Sequence, residues 1–287
     1  MSKRIVLLVI HPTKVEASEF ATELAQALVA QDFEVVSNTP HTLANISRME
    51  SVDGIEIAVV LGGDGTILRA AEIVRGKNIP ILGINMGNVG FLAEIGRPEV
   101  SAIVDSISSK SYRGEVRLVL HHEIERRGTI IDQGWALNEV TVGRSDAQMV
   151  ELFVQIDGRP LSRWGCDGVI AATPTGSTSY AFSAGGPVVW PEVNALILLP
   201  LAAHALFSRP MVISPDSTIA IDIESDSATL SSDGMRTFQL LKGDRITISK
   251  DAHSIELVHM AEAGFTDRLV AKFKLPIEGW RGELEVV

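Results

Sequence analysis

Hydrophobic residues in the first third of the chain form short runs that alternate with helical patterns. Residues 5–10, 57–61 and 79–84 are nearly continuous apolar stretches, the pattern of strands buried on both faces. Apolar positions at helical spacing predict helices between the strands, including one over 66–75 and a weak one over 42–49. Strands and helices alternating at this spacing predict an α/β N-terminal domain with a parallel sheet and right-handed crossovers.

The pattern changes near residue 115, where short stretches of period-two alternation and Asp-Gly turn signals replace the helices. We therefore expect an all-β C-terminal domain over residues 115–261, after the α/β domain over 1–114. A helical pattern at 265–273 predicts a last helix, within residues 262–287, that returns to the N-terminal domain.

The turn Gly-Gly-Asp-Gly-Thr at residues 62–66, here called the glycine turn, joins a predicted buried strand to a helix. Glycines allow close backbone approach, and a helix N-terminus favours anions. A carboxylate there, Asp64, is costly unless it binds a metal or takes a proton, which suggests phosphoryl transfer. The alternative is that Asp64 only caps the helix. A second glycine-rich stretch, residues 83–92, predicts either the opposite wall of one cleft or a second ordinary turn.

Polar residues beside apolar stretches are further candidates for chemistry. Asn138-Glu139 is either a buried pair suited to ribose hydroxyls or an exposed strand end. The Thr/Ser-rich stretch 173–183 is either a neutral donor loop for phosphates or sugars, with Tyr180 available to stack on a base, or a solvated loop. His204 fits a core position or a cleft position. Three other residues are interpreted as structural: His121, His122 and Cys166.

Composition narrows the classes of function. The 287 residues are 46% hydrophobic and carry a net charge of −11, which argues against nucleic-acid or anionic-membrane partners. A single cysteine excludes an internal disulfide and fits the reducing cytoplasm. The apolar stretch over 193–207 is too interrupted for a membrane span. The N-terminal apolar run predicts a core strand, not a signal peptide.

Together these motifs resemble those of the NAD kinases, and the resemblance covers almost the whole chain. The glycine turn alone is shared with diacylglycerol, sphingosine and 6-phosphofructo-kinases, whereas the combination is specific to NAD kinases. The end of the chain, from Phe265, looks most like actinobacterial members. The resemblance rests on the glycine turn, Gly83, Gly87, Gly90-Phe91, Asn138-Glu139, Asp167-Gly168, residues 173–180, His204 and Arg209-Pro210.

The resemblance implies an enzyme that transfers a phosphoryl group from ATP, or from polyphosphate in some members, to the 2′-hydroxyl of the adenosine ribose of NAD. Asp64 matches the family's general base, and Gly62, Gly63 and Thr66 match its phosphate-donor loop. The positions that match NAD- or nucleotide-binding residues are Asp64, Gly65, Arg69, Phe91, Asn138, Glu139, Asp167, Thr178, Ser179, Tyr180, Ala181, Phe182, Ser183 and Ala202.

The family also implies magnesium or another divalent ion that arrives with the donor, without a dedicated protein metal site. Members are usually homodimers or homotetramers in which a site borrows residues from a neighbouring subunit. Ser179 stands where the family usually has alanine. Two other functions remain open at this point: a lipid or sugar kinase that shares only the glycine turn, and a non-catalytic dinucleotide sensor.

Overall fold

The computed structural model of the protein describes residues 3–38, 46–87, 89–260 and 263–277. The chain divides into two compact units. The first contains the described residues up to Val116 and those from Ile255 onward, and the second is Arg117–Ser254. No helix within the described ranges has the length and apolar character needed to cross a bilayer.

The first unit begins with alternating strands and helices, as predicted. Residues 42–45 of the predicted weak helix lie outside the described residues, and the helix prediction is wrong at Ser47–Arg48, which pair in parallel with the end of a neighbouring strand. The elements are β1 (Arg4–Ile10), α1 (Val15–Ala30), β2 (Phe33–Ser37), β3 (Ser47–Arg48), β4 (Ile55–Gly62), α2 (Asp64–Val74), β5 (Ile81–Asn85), α3 (Val100–Ser109) and β6 (Arg113–Arg117).

The second unit consists mainly of antiparallel strands. Besides a 3₁₀ turn at Thr175–Thr178, its elements are β7 (Leu120–Arg126), β8 (Thr129–Ala136), β9 (Glu139–Gly143), β10 (Val150–Ile156), β11 (Arg159–Cys166), β12 (Gly168–Ala172), α4 (Tyr180–Ser183), β13 (Leu196–Leu201), β14 (Met211–Ile213), β15 (Ile219–Ile223), β16 (Ser227–Ser232), β17 (Arg236–Leu241) and β18 (Arg245–Lys250).

These strands form two six-stranded sheets, with the orders β11-β10-β15-β18-β7-β8 and β14-β13-β12-β9-β16-β17. Buried side chains from both sheets, such as Trp164 and Val169, belong to one hydrophobic core. Alternation of buried and exposed residues along a strand such as β16 is the pattern expected of a sheet with one face on the core. The all-β prediction for this part of the chain is confirmed.

The chain then returns to the first unit through β19 (Ile255–His259) and α5 (Phe265–Phe273). β19 lies parallel to β5, with Leu257 beside Ile81, and the sheet has the order β3-β2-β1-β4-β5-β19-β6. The predicted end of the β-rich domain at residue 261 is therefore corrected to Ser254, because the apolar run after it completes the first sheet.

Helix α5 packs on the first unit, as predicted. The ring of Phe91 packs against those of Phe265 and Phe273, with centroid distances of 5.8 and 5.9 Å. In the parallel sheet, β1, β4 and β5 are neighbours, so their carboxyl ends meet at one edge. This edge carries His11, the glycine turn and the segment that follows Asn85.

Candidate active site

The glycine turn connects β4 to α2, and its glycines differ in what they require. A Cβ added to Gly62 would lie 2.6 Å from the Cβ of buried Thr66, so this glycine is needed for packing. A Cβ added to Gly63 or Gly65 would meet no atom within 4 Å in the described part of the chain. These two glycines leave open space at the N-terminus of α2, where the first helical N–H groups lack helical partners.

Asp64 is held by the neighbouring glycine-rich segment. The backbone N–H groups of Phe91 and Leu92 donate to its two carboxylate oxygens at 3.0 and 3.1 Å. A Cβ added to Gly90 would lie 2.7 Å from Asp64 Cγ. The capping alternative for Asp64 is wrong, because Gly63 is the N-cap and no side-chain cap bond is present. The two glycine-rich stretches thus lie together, and both oxygens of Asp64 keep a lone pair for a further partner.

Cationic side chains lie near the same sheet edge. Lys14 Nζ donates to the carbonyl of Met86 at 2.9 Å. Arg69 is exposed one turn after Gly65 on α2. Burial lowers the pKa of His11, and the positive charges of Lys14 and Arg69 lower it further. The edge therefore combines one carboxylate with positive charge that would attract an anionic ligand.

In the second unit, Asn138 and Glu139 lie at the bend between β8 and β9 and are 8% and 5% exposed. The carboxylate of Asp233 accepts backbone N–H groups from Leu137, Asn138 and Glu139 at 2.9, 2.7 and 3.3 Å. Arg236 donates to the same carboxylate at 3.1 Å. The buried alternative for the Asn-Glu pair is therefore confirmed, and the exposed alternative is wrong.

Glu139 is an unusual carboxylate within this group. Burial raises its pKa to about 7, and the negative charge of Asp233 contributes to the shift. Ser179 Oγ donates to Glu139 Oε1 at 3.4 Å. The other oxygen, Oε2, is buried and finds no hydrogen-bond partner among the described residues. An orphaned buried acceptor suggests a partner supplied by a ligand.

The Thr/Ser-rich stretch divides into a structural part and an accessible part. Thr173 Oγ1 donates to the Leu137 carbonyl at 2.6 Å, and Ser177 Oγ donates to that of Val189 at 3.1 Å, so the buried hydroxyls support the fold. Neither the donor-loop nor the solvated-loop alternative describes Thr173 and Ser177, because both side chains are buried and bond to backbone carbonyls. In the second half, Ala181 is fully buried and the exposed or partly exposed residues are Thr178, Ser179, Tyr180, Phe182 and Ser183.

This accessible segment lies beside the Asn-Glu bend. A Cβ added to Gly176 would lie 2.8 Å from Asn138 Cα, so the 3₁₀ turn packs directly on Asn138. Tyr180 and Phe182 are 45% and 39% exposed. The structure therefore brings Asn138, Glu139 and the segment from Thr178 together, as the sequence motifs suggested.

Asp167 and Ala202 lie elsewhere in the second unit. Asp167 N–H donates to the Leu201 carbonyl at 2.9 Å, which places it beside Ala202. Glu139 pairs with Ala172, the other end of β12. At about 3.3 Å per residue, the five steps from Asp167 to Ala172 span about 16 Å. Ala202 has φ of +46°, a conformation rare for alanine.

The remaining candidates are structural or exposed. His122 is buried with Nε2 2.9 Å from Ser232 Oγ, and burial lowers its pKa to about 4. Burial raises the pKa of the Cys166 thiol to about 11, which suits a packing residue. His204 is exposed, so its core alternative is wrong. In the described ranges, no three His, Cys, Asp or Glu residues form a group that could hold a metal ion.

Comparisons with known proteins identify the family. The ATP-NAD kinase N-terminal domain matches residues 42–112, and the ATP-NAD kinase C-terminal domain matches residues 137–260. The NAD kinase of Mycobacterium tuberculosis is 43% identical over 303 aligned residues, which cover 98% of this chain and 99% of that protein. The chain belongs to the NAD kinase family. NAD kinase 2 of Streptomyces avermitilis is 48% identical over 236 residues, 81% of this chain and 78% of that protein.

Solved structures of NAD kinase relatives share this fold. Yeast NADH kinase, complexed with NADH, superposes with a TM-score of 0.86 at 24% identity, covering 96% of this chain and 88% of that one. An NAD kinase from Archaeoglobus fulgidus, in complex with ATP, gives a TM-score of 0.73 at 28% identity and coverage of 96% and 100%. The chain is therefore a kinase with the NAD kinase fold, and the resemblance found in its motifs is confirmed.

The sequence patterns of this NAD kinase family member do not point to two residues of the candidate site, Asp233 and Lys14. Asp233 belongs to one of the Asp-Gly turn signals, and this turn follows a strand that pairs with β9. Lys14 follows the first strand, and that position at a strand end was the available signal.

Proposed function

We propose that this chain transfers the terminal phosphoryl group of ATP to the 2′-hydroxyl of the adenosine ribose of NAD, giving NADP, with Asp64 as the general base. The observation that carries the proposal is the Asp64 carboxylate, which two backbone N–H groups orient beside the open glycines of the turn. A phosphoryl-transfer site needs such a base next to a surface that tolerates close approach of phosphates.

The proposed transfer begins with removal of a proton by the Asp64 carboxylate. Asp64 accepts the proton of the ribose 2′-hydroxyl as the oxygen attacks the terminal phosphorus. The new O2′–P bond forms while the bond from that phosphorus to the bridging oxygen breaks, and ADP leaves with the electron pair. Because each oxygen of Asp64 already accepts one N–H, the carboxylate is oriented before substrate binds.

Phosphates of the donor would bind at the N-terminus of α2. Gly63 and Gly65 leave room for them, and Lys14 and Arg69 supply positive charge. We infer that magnesium enters bound to the triphosphate, as part of the phosphoryl donor. There it offsets phosphate charge. Polyphosphate shares the chemistry that this surface recognises, so we include it as a second donor.

NAD would bind beside the Asn-Glu bend of the second unit. The orphaned Oε2 of Glu139 can accept a hydroxyl hydrogen bond, and the Asn138 amide offers a donor and an acceptor. Tyr180, 45% exposed, can stack on a base or lie against a ribose. The accessible segment from Thr178 to Ser183 would form the rest of the NAD-binding surface.

We infer that Asp167 and Ala202 serve the site of a neighbouring subunit in a homodimer or homotetramer. Within one chain they lie about 16 Å from Glu139, at ~3.3 Å per residue along β12. Exposed apolar side chains next to them, Leu206 and Phe207, suit a surface that a second copy covers. We place the enzyme in the cytoplasm, where a buried unpaired thiol such as Cys166 stays reduced.

The test is an assay of NADP formation by purified protein with magnesium, using ATP or polyphosphate as donor and NAD or NADH as acceptor. Phosphorus NMR of the product locates the new phosphate. We expect a 2′-phosphate, and we expect Asn138→Ala to impair its formation. Phosphate transfer to diacylglycerol or fructose 6-phosphate with indifference to Asn138→Ala would contradict the proposal, as would NAD binding without turnover.

A further inference from the structure

Helix α5 buries an arginine beneath the segment that holds Asp64. Arg268 is 3% exposed. Its Nη1 donates to the carbonyls of Phe91 and Ala93 at 3.0 and 3.2 Å. Its Nη2 donates to His259 Nδ1 at 2.9 Å. Since a guanidinium only donates, His259 Nδ1 is the acceptor in this bond.

One peptide group joins this arginine to Asp64. The carbonyl of Phe91 and the N–H of Leu92 belong to the same planar unit. The carbonyl accepts from Arg268, while the N–H donates to Asp64 Oδ1 at 3.1 Å. Fixing the oxygen of a rigid peptide also fixes the direction of its N–H. A donor at the carbonyl polarises the peptide and strengthens the bond that its N–H makes.

The surroundings of Arg268 keep the guanidinium in place. Burial lowers its pKa, while the carboxylates of Glu94, Glu115 and Asp64 oppose that shift, and the side chain remains a cation. Glu94 Oε1 also accepts the Met260 N–H at 2.7 Å, which ties the same segment to the end of β19. A buried charge this well partnered is costly to remove.

We propose that Arg268 is a positioning residue for phosphoryl transfer, acting on Asp64 through the Phe91–Leu92 peptide. The inference rests on the proposed function, because it assigns Arg268 the task of aiming the general base. Arg268 itself touches no reacting atom. It sets the direction of an N–H group that Asp64 accepts, and loss of the guanidinium would let the peptide and the carboxylate rotate.

The experiment compares Arg268→Leu and Arg268→Lys with a matched control, Arg4→Leu. Arg4 is also in the first unit and also donates to two carbonyls, those of Ile107 and Ser108 at 2.7 and 3.0 Å. Its hydrogen bonds go to Glu56, Ser108 and Ile107, which lie outside the segment that holds Asp64. Thermal unfolding and circular dichroism report folding, and steady-state NADP formation well below each Tm gives kcat and both KM values.

We expect Arg268→Leu to lower kcat roughly tenfold to a hundredfold, as for a small displacement of a catalytic group, with both KM values nearly unchanged. Arg4→Leu should lower Tm and leave kcat unchanged. Arg268→Lys restores the charge without the two-carbonyl geometry, so its Tm should recover more than its kcat. This variant also tests the inference if Arg268→Leu does not fold.

Wild-type kcat in a folded Arg268→Leu or Arg268→Lys variant would overturn the inference. So would a kcat loss in Arg4→Leu as large as that in the Arg268 variants, because that loss would then follow stability alone. Failure of the proposed function gives a different result, since wild-type protein would itself form no NADP.

Discussion

Asp64 in the first unit and Glu139 in the second are both carboxylates, and their surroundings differ. Asp64 is partly exposed, and each of its oxygens accepts a backbone N–H. Glu139 is 5% exposed, and burial raises its pKa to about 7. A base that exchanges a proton with substrate has to be reachable, whereas hydrogen bonds that recognise hydroxyls are stronger where water is excluded. Asp64 is suited to chemistry and Glu139 to recognition.

In each unit, the carboxylate of one Asp accepts hydrogen bonds from backbone N–H groups of a segment distant in sequence. In the first unit, that carboxylate is Asp64, the proposed reacting group itself. In the second, it is Asp233, which holds residues 137–139 and so fixes the bend that carries Asn138 and Glu139, the residues proposed to bind NAD. Perturbing the first arrangement should change kcat, and perturbing the second should change the KM for NAD.

Among variants that change the surroundings of the two carboxylates and leave the carboxylates themselves in place, Gly90→Ala should have the largest effect on kcat. The new methyl group would overlap the Asp64 carboxylate, which must move. A displacement near 1 Å predicts a kcat lower by about a hundredfold, measured as steady-state NADP formation. The control is Gly96→Ala, where an added Cβ meets no atom within 4 Å in the described part of the chain. Equal kcat for both variants would contradict the account of Asp64.

A smaller effect is expected from Asp233→Asn. An asparagine replaces one acceptor oxygen with a donor facing backbone N–H groups, so the bend of residues 137–139 should loosen. We predict that the KM for NAD rises about tenfold and that the KM for ATP is unchanged. A tenfold change corresponds to ~1.4 kcal/mol, the size expected when hydrogen bonds at the bend weaken.

Asp222→Asn serves as the control for that variant. Asp222 lies on β15 of the same unit, and its carboxylate accepts from Arg245 and Gln155 at 2.9 and 3.1 Å. The KM of the Asp222→Asn variant for NAD should equal that of the wild type. If Asp233→Asn raised the KM for ATP as much as the KM for NAD, the Asp233 carboxylate would not act through Asn138 and Glu139.

A third prediction concerns the pH dependence of stability and the variant Glu139→Gln. Because the folded-state pKa of Glu139 is about 7 and its usual value is 4.5, the native state holds the proton more tightly between these values. Glu139 therefore lowers the free energy of unfolding as pH rises from about 4.5 to 7, by up to roughly 3 kcal/mol. Glu139→Gln should remove this component, as urea unfolding at pH 5.5 and pH 8 would show. An unchanged pH dependence would contradict the assigned pKa.

Much of the fold was predictable because local patterns and tertiary structure agree. The run at residues 57–61 became the centre of β4, and the helical pattern at 265–273 became α5. The boundary at residue 261 was wrong because an apolar strand such as β19 carries no local mark of which sheet it joins. In its parallel pairing with β5, the paired residues are about 175 positions apart in sequence.

The candidate site was predictable where residues act through their own motif, as at Asp64 and Asn138-Glu139. It was not predictable where a residue acts on a distant backbone segment. Asp233 binds N–H groups about 95 residues earlier, and Arg268 binds a carbonyl 177 residues earlier. Thr173 and Ser177 show the opposite error. Their motif suggested a ligand-binding loop, whereas their hydroxyls bond to backbone carbonyls.

The most direct test of the central claim, that Asp64 is the general base, is the turnover of Asp64→Asn measured together with its calorimetric affinity for NAD. The variant keeps the side chain's size and removes its ability to take the proton. We predict NADP formation slower by roughly 10²–10⁴-fold, with the Kd for NAD changed by less than about fivefold. Turnover like that of the wild type in folded Asp64→Asn would contradict the claim.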